Sequence, residues 1–121
     1  MILGLRTASY PVTDLASAKS WCAQVLGVQH YFDQPFYVGF SVGGFELGLL
    51  PDETAGTTGP QILLGVAEVE TELERLLALG AAELLPAQGV GEGISVAAVK
   101  DPVGNRFGII ENPNFSASEV R

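Results

Sequence analysis

Few side chains in this sequence have the chemistry to act on a ligand, and the strongest of them recur in a pattern. Glu46 and Arg106 stand at matching places in two repeated stretches. Gly44-Phe45-Glu46-Leu47-Gly48-Leu49-Leu50 aligns with Gly104-Asn105-Arg106-Phe107-Gly108-Ile109-Ile110. A carboxylate and a guanidinium so placed can form an ion pair or grip the polar ends of a ligand. Left exposed, the same pair contributes only about 0–1 kcal/mol. His30 is the only histidine and is expected to be a packed or surface residue on a short strand. Cys22, the only cysteine, falls on the apolar stripe of a helix with no partner histidine evident, and reads as core. No Gly-rich phosphate loop, Ser-His-Asp set or paired carboxylates stand out.

These residues sit on a repeating series of elements. Residues 3–10 are β-compatible, with Pro11 expected to end the strand. Asp14 can cap a helix carrying Leu15, Ala18, Cys22, Val25 and Leu26 on one side, stopped by Gly27. A short strand over 28–32 and a turn at Gln34-Pro35 follow. Residues 36–42 and 45–50 flank Gly43-Gly44, a pair suited to a tight hairpin. That turn opposes Val42 to Phe45, Phe40 to Leu47 and Val38 to Leu49, so one face is wholly apolar and includes Phe36. The other face carries Tyr37, Gly39, Ser41, Glu46, Gly48 and Leu50, the make-up of a cavity wall. After a Thr- and Gly-rich linker the series restarts. It comprises a strand over 61–66, a helix over 68–79 with Val69, Leu73, Leu76 and Leu77 inward, and strands over 81–85 and 94–99. The turn Asp101-Pro102-Val103-Gly104 leads to a last strand over 105–111. The period near 60 residues points to one duplicated module rather than a solenoid. The expected class is α+β: two βαβββ modules forming a cupped mixed sheet around a cavity, with helices on the outer face. Residues 1–121 form a single domain, with module 1 at about 3–51, a linker at about 52–59, module 2 at about 60–112 and a tail at 113–121.

Composition narrows the partners. Of 121 residues, 47% are hydrophobic and 17% charged, enough to build a core and too apolar for a disordered chain. Six scattered Lys and Arg and a net charge of −8 argue against nucleic acid. No apolar run approaches the roughly 20 residues that cross a bilayer, and no signal peptide is expected. The single cysteine suits a reducing compartment, so a cytoplasmic protein is expected.

Thr13-Asp14-Leu15, Val25-Leu26-Gly27, the hairpin into Phe45-Glu46-Leu47, and Asp101-Pro102-Val103-Gly104-Asn105-Arg106-Phe107 together resemble the vicinal oxygen chelate superfamily. Its members include glyoxalases, extradiol dioxygenases and bleomycin-resistance proteins. The resemblance spans about residues 3–112 and implies a cupped sheet around a ligand, often in a homodimer. It also implies metal-holding positions on the first and last strands of each module, which fall here on Thr7, Gln61, Gly48 and Gly108. Threonine and glutamine are weak ligands and glycine has no side chain, whereas divalent metals want several strong donors. No metal or other cofactor is therefore expected. A divalent metal held partly by Glu46 is the alternative.

With no metal, the resemblance favours a bleomycin-resistance-like protein that sequesters a small organic molecule, a cationic antibiotic being suited to its acidity. Glycines 39, 48 and 108 are expected to open room in the cup, unless they merely relieve crowding. The candidate cup wall is Thr7, Tyr37, Gly39, Ser41, Glu46, Gly48, Gln61, Arg106 and Gly108, with no catalytic residue assigned. The alternatives are a metal-dependent lyase, isomerase or dioxygenase with displaced ligands, and a regulatory or interaction domain whose cup is vestigial.

Overall fold

The computed structural model describes residues 5–51, 55–57 and 61–119. Its elements run β1 (Thr7–Val12), α1 (Leu15–Leu26), β2 (Phe32–Gln34), β3 (Tyr37–Val42) and β4 (Phe45–Pro51). The second series is β5 (Leu63–Gly65), α2 (Val69–Ala78), β6 (Ala82–Gly91), β7 (Ile94–Lys100) and β8 (Arg106–Glu111), followed by a 3-10 turn at Ala117–Glu119. The strands make two four-stranded mixed sheets, ordered β1-β4-β3-β2 and β5-β8-β7-β6. In each, the first strand runs parallel to the last and the other pairs are antiparallel. The chain is thus α+β and built as two βαβββ modules.

The hairpin register is the one the Gly43-Gly44 turn dictates. Val38, Phe40 and Val42 lie opposite Leu49, Leu47 and Phe45, and both turn glycines have positive φ, at 56° and 89°. The helix-side face of each sheet joins one core, where Val12, Val38, Phe40, Leu47 and Leu49 meet Ala97, Val99, Phe107 and Ile109. Phe107 sits centrally: Tyr10 stacks on it at 6.1 Å and Trp21 meets it edge-on at 5.2 Å.

Helix α1 starts as its sequence dictates. Asp14 Oδ1 accepts from the Ser17 N–H at 3.1 Å, and Gly27 at φ 71° ends the helix. Two termini, the start of α2 and the end of α1, also take bonds from distant parts of the chain. Glu68 makes no capping bond at the start of α2, and Glu111 on β8 accepts from the Val69 N–H at 3.0 Å instead. Helix α1 has no basic residue in its last turn, and Arg75 of α2 donates from Nη2 to the Val25 carbonyl at 2.6 Å. Arg75 therefore joins the two helices.

Several boundaries depart from expectation. Pro11 lies inside β1, opposite Leu50; β1 is an edge strand, where a missing N–H is tolerated. Residues 28–31 are outside the second strand, which is Phe32–Gln34. Phe36 occupies the turn and is 66% exposed, off the apolar face, and Phe32 is also largely exposed. Leu77 is exposed on α2. The Gly-rich stretch before Ile94 is strand: β6 continues to Gly91 through three register shifts that absorb its irregular sequence.

The modules are tied by the turn before β8. Buried Asn105 donates from Nδ2 to the Pro11 carbonyl at 2.6 Å and accepts at Oδ1 from the Gly56 N–H at 3.0 Å. Asp101 Oδ1 accepts from the N–H groups of Val103 and Asn105, at 3.1 and 2.8 Å. Burial holds the Asp101 pKa above its ordinary value, an effect these N–H donors offset only in part. Replacing Asn105 with Ala strands a buried carbonyl and an N–H, so urea denaturation should show a loss of about 2–3 kcal/mol.

Cys22 is buried in this core, and burial, then the Asp101 carboxylate, push its thiol up to about 12 from 9.0. An acid raised in the folded state keeps its proton after the unfolded chain has released it. Stability therefore falls as pH climbs from 9.0 toward about 12, by on the order of 1 kcal/mol per pH unit. Burial raises Tyr10 as well, leaving part of the slope in a Cys22 variant. Urea midpoints measured between pH 8 and 11 should show the stability advantage of the native protein over Cys22→Ala shrinking as pH rises.

Candidate functional site

On the face of the first sheet opposite the helices, two glycines stand side by side: Gly39 of β3 opposes Gly48 of β4. Both are buried, and neither opens empty space. A β-carbon on Gly48 would collide with the Tyr37 hydroxyl and lie 2.7 Å from its Cε1. One on Gly39 would be 3.3 Å from both the Tyr31 and Tyr37 rings and 3.5 Å from the Glu46 carboxyl carbon. The glycine pair is thus a floor on which the Tyr37 ring lies, allowing two tyrosines and a carboxylate to converge. The expectation that Gly39 and Gly48 enlarge the cup is corrected accordingly: a ring occupies the room they leave. Gly108 opens no room either, because a β-carbon there would come 2.7 Å from Leu63 Cδ2 and 2.8 Å from the Ile62 carbonyl oxygen.

The Tyr37 hydroxyl donates to Glu46 Oε2. Above this pair lies an open cavity of about 380 Å³, lined by Arg6, Thr7, Tyr31, Ser41, Gly44, Phe45 and Glu46. Thr7, Ser41 and Glu46 were expected at such a wall, and Tyr37 holds Glu46 from beside it. Tyr31 was missed, because residues 28–32 read as a strand. Its N–H does bond the Gly39 carbonyl at 3.0 Å, but the residue precedes β2 and its ring covers the glycine floor. Arg6 was missed as well; it is exposed, and its Nη1 donates to the Leu5 carbonyl at 3.1 Å.

Gln61, Arg106 and Gly108 belong to the second module and do not line this cavity. Arg106 and Glu46 form no ion pair among the described residues. His30 is half-buried, edge-on to Phe40 at 6.2 Å and 3.2 Å from Asp33, away from the cavity lining. A second cavity, of about 290 Å³, lies on the helix side. Its walls are largely aliphatic, and its Glu72–Arg75 pair is already engaged with the end of α1.

The donor set does not fit a divalent metal. Among the described residues no three His, Cys, Asp or Glu side chains converge. Among the described residues Glu46 is the only carboxylate lining the cavity, and Gly48 and Gly108 have no side chain to offer as a donor.

The match to known proteins follows this architecture. The family model described as a glyoxalase-like domain matches residues 8–110. The chain belongs to the glyoxalase-like domain family. Several solved structures similar to this glyoxalase-like chain are described as glyoxalase-related or as resistance proteins. A glyoxalase-related enzyme from Fulvimarina pelagi superposes with a TM-score of 0.78 at 20% identity, covering 96% of this chain and 94% of that one. FosX, a genomically encoded fosfomycin resistance protein from Listeria monocytogenes, gives 0.77 at 18% identity over 100% of both chains. A glyoxalase/bleomycin resistance protein/dioxygenase family enzyme from Burkholderia phytofirmans PsJN gives 0.70 at 20% identity, over 87% of this chain and 95% of that one. At such identities the likeness is one of fold. No curated protein matches the chain in sequence. No helix among the described residues is long and apolar enough to cross a membrane.

The glycine floor can be tested directly. Gly48→Ala should expel the Tyr37 ring and break its bond to Glu46, at a cost of about 1–3 kcal/mol. The readouts are the urea midpoint and the aromatic NMR shifts of Tyr37, which should move toward those of an exposed tyrosine.

Proposed function

We propose that this protein is a metal-independent receptor that sequesters a small organic cation on the face of its first module. The observation that carries the reading is the Glu46 carboxylate, held in place by the Tyr37 hydroxyl beneath a cavity of about 380 Å³ with Tyr31 on its wall. A fixed carboxylate beside an aromatic ring suits an ammonium or guanidinium group, combining a charge-assisted hydrogen bond with a cation–π contact. Thr7 and Ser41 add neutral hydroxyls that can orient the rest of the ligand. The net charge of −8 draws cations toward the surface. Structures sharing this fold that are described as glyoxalase/bleomycin resistance proteins make cationic antibiotics the first class to try. The protein works in the cytoplasm as a homodimer, a reading supported by its lone buried thiol and by the apolar Leu50 and Leu63 exposed on the sheets.

The test is thermal-shift and calorimetric titration of the full chain with a panel of cationic antibiotics, beginning with bleomycin. At least one should raise the melting temperature, and Glu46→Gln should weaken its binding about tenfold, or ~1.4 kcal/mol. Absence of stabilisation by any cationic compound overturns the reading. So does near-stoichiometric zinc, nickel, manganese or iron in protein purified without chelators.

A further inference from the structure

Lys100 and Arg106 lie directly opposite one another across β7 and β8. Opposed residues of an antiparallel pair share a face. Their chain neighbours Val99 and Phe107 are buried in the core, so the two cations leave the sheet on the side away from the helices. They take the places that Ser41 and Glu46 hold in the first sheet. The duplicated module therefore presents a carboxylate at one copy of this position and two cations at the other.

That arrangement is costly for this chain. It has only six Lys and Arg against fourteen Asp and Glu, yet sets two of the six side by side. Neither forms an ion pair among the described residues, and like charges directly opposed on a sheet destabilise it. Their paired neighbours on that face carry no charge: Ala82 pairs with Lys100, and Ala98 with Gly108. Arg106 is half-buried, and its Nε is enclosed with no acceptor among the described residues. Enclosed N–H groups of folded proteins almost always have one. A guanidinium offers paired N–H donors matched to a planar or tetrahedral oxyanion, and a neighbouring ammonium adds a point charge.

We propose that Lys100 and Arg106 form a binding site for a small oxyanion, the carboxylate or phosphate group of a ligand, on the second module. Neither residue lines the cavity above Glu46, so this site stands or falls independently of the amine-binding reading. The anion supplies the acceptor that Arg106 Nε lacks among the described residues and offsets the repulsion between the two cations.

The experiment is an NMR titration of the full chain with sodium phosphate and, separately, sodium acetate, at ionic strength held constant with sodium chloride. Saturable shifts of the amides of Lys100 and Arg106 are expected with at least one anion. Lys100→Gln with Arg106→Gln should raise its dissociation constant at least tenfold. Saturation by phosphate alone assigns a phosphate site, and saturation by acetate a carboxylate site. No saturable shift with either anion, or equal binding by the double variant, overturns the proposal. A second readout needs no ligand: Lys100→Gln alone should raise the melting temperature in buffer free of phosphate and carboxylates by relieving repulsion. A fall would mean that Lys100 is already neutralised within the protein, and would equally overturn it.

Discussion

The relation between the two modules depends on one amide. Asn105 holds the Pro11 carbonyl of the first module and the Gly56 N–H of the linker at once. Its own N–H is gripped by Asp101. A buried amide with its donor and acceptor both used fixes orientation more sharply than apolar contact does, because each bond fails if the groups slip by an ångström. From that fixed point Phe107, two residues on, is carried into the shared core, where Tyr10 and Trp21 close on it. The helices then brace one another through Arg75, and β8 steadies α2 through Glu111.

Much of this architecture is legible in the residues themselves. The Gly43-Gly44 turn sets the hairpin register, Asp14 and Gly27 bound α1, and the repeated Gly-x-charge-apolar-Gly stretch announces duplication. What is not legible is whatever one part of the chain supplies to another. Nothing near Glu68 indicates that the N-terminus of α2 is capped from β8, and Arg75 looks like a solvated helix residue until α1 is placed beside it. Pro11 misleads because its effect depends on whether a strand is at an edge, which is a property of the sheet. The Gly-rich end of β6 misleads because bulges accept residues that a regular strand would reject.

The candidate site divides in the same way. Strand phase puts Thr7, Ser41 and Glu46 at one cavity and Tyr37 beside it. The alternation of side chains along a hairpin is enough to predict that grouping. The glycines reveal the limit of that reasoning. A missing side chain says that something comes close, without saying whether it is a ligand or the protein's own ring. At Gly48 it is Tyr37, and at Gly108 it is Leu63. Cross-strand glycine therefore serves here to preorganise a carboxylate: the ring that fills the gap also donates the hydrogen bond that fixes Glu46.

The long outer strand β6 has a consequence for the protein at high concentration. It is ten residues at the margin of its sheet, and a straight margin of that length would offer a row of open backbone groups to any extended polypeptide. Three shifts of register and Pro86 break that row into short, misaligned pieces. No stranger's strand can zip along it for more than a few residues. Association along β6 must therefore rely on side chains, and the route to ordered fibrils is obstructed from this side.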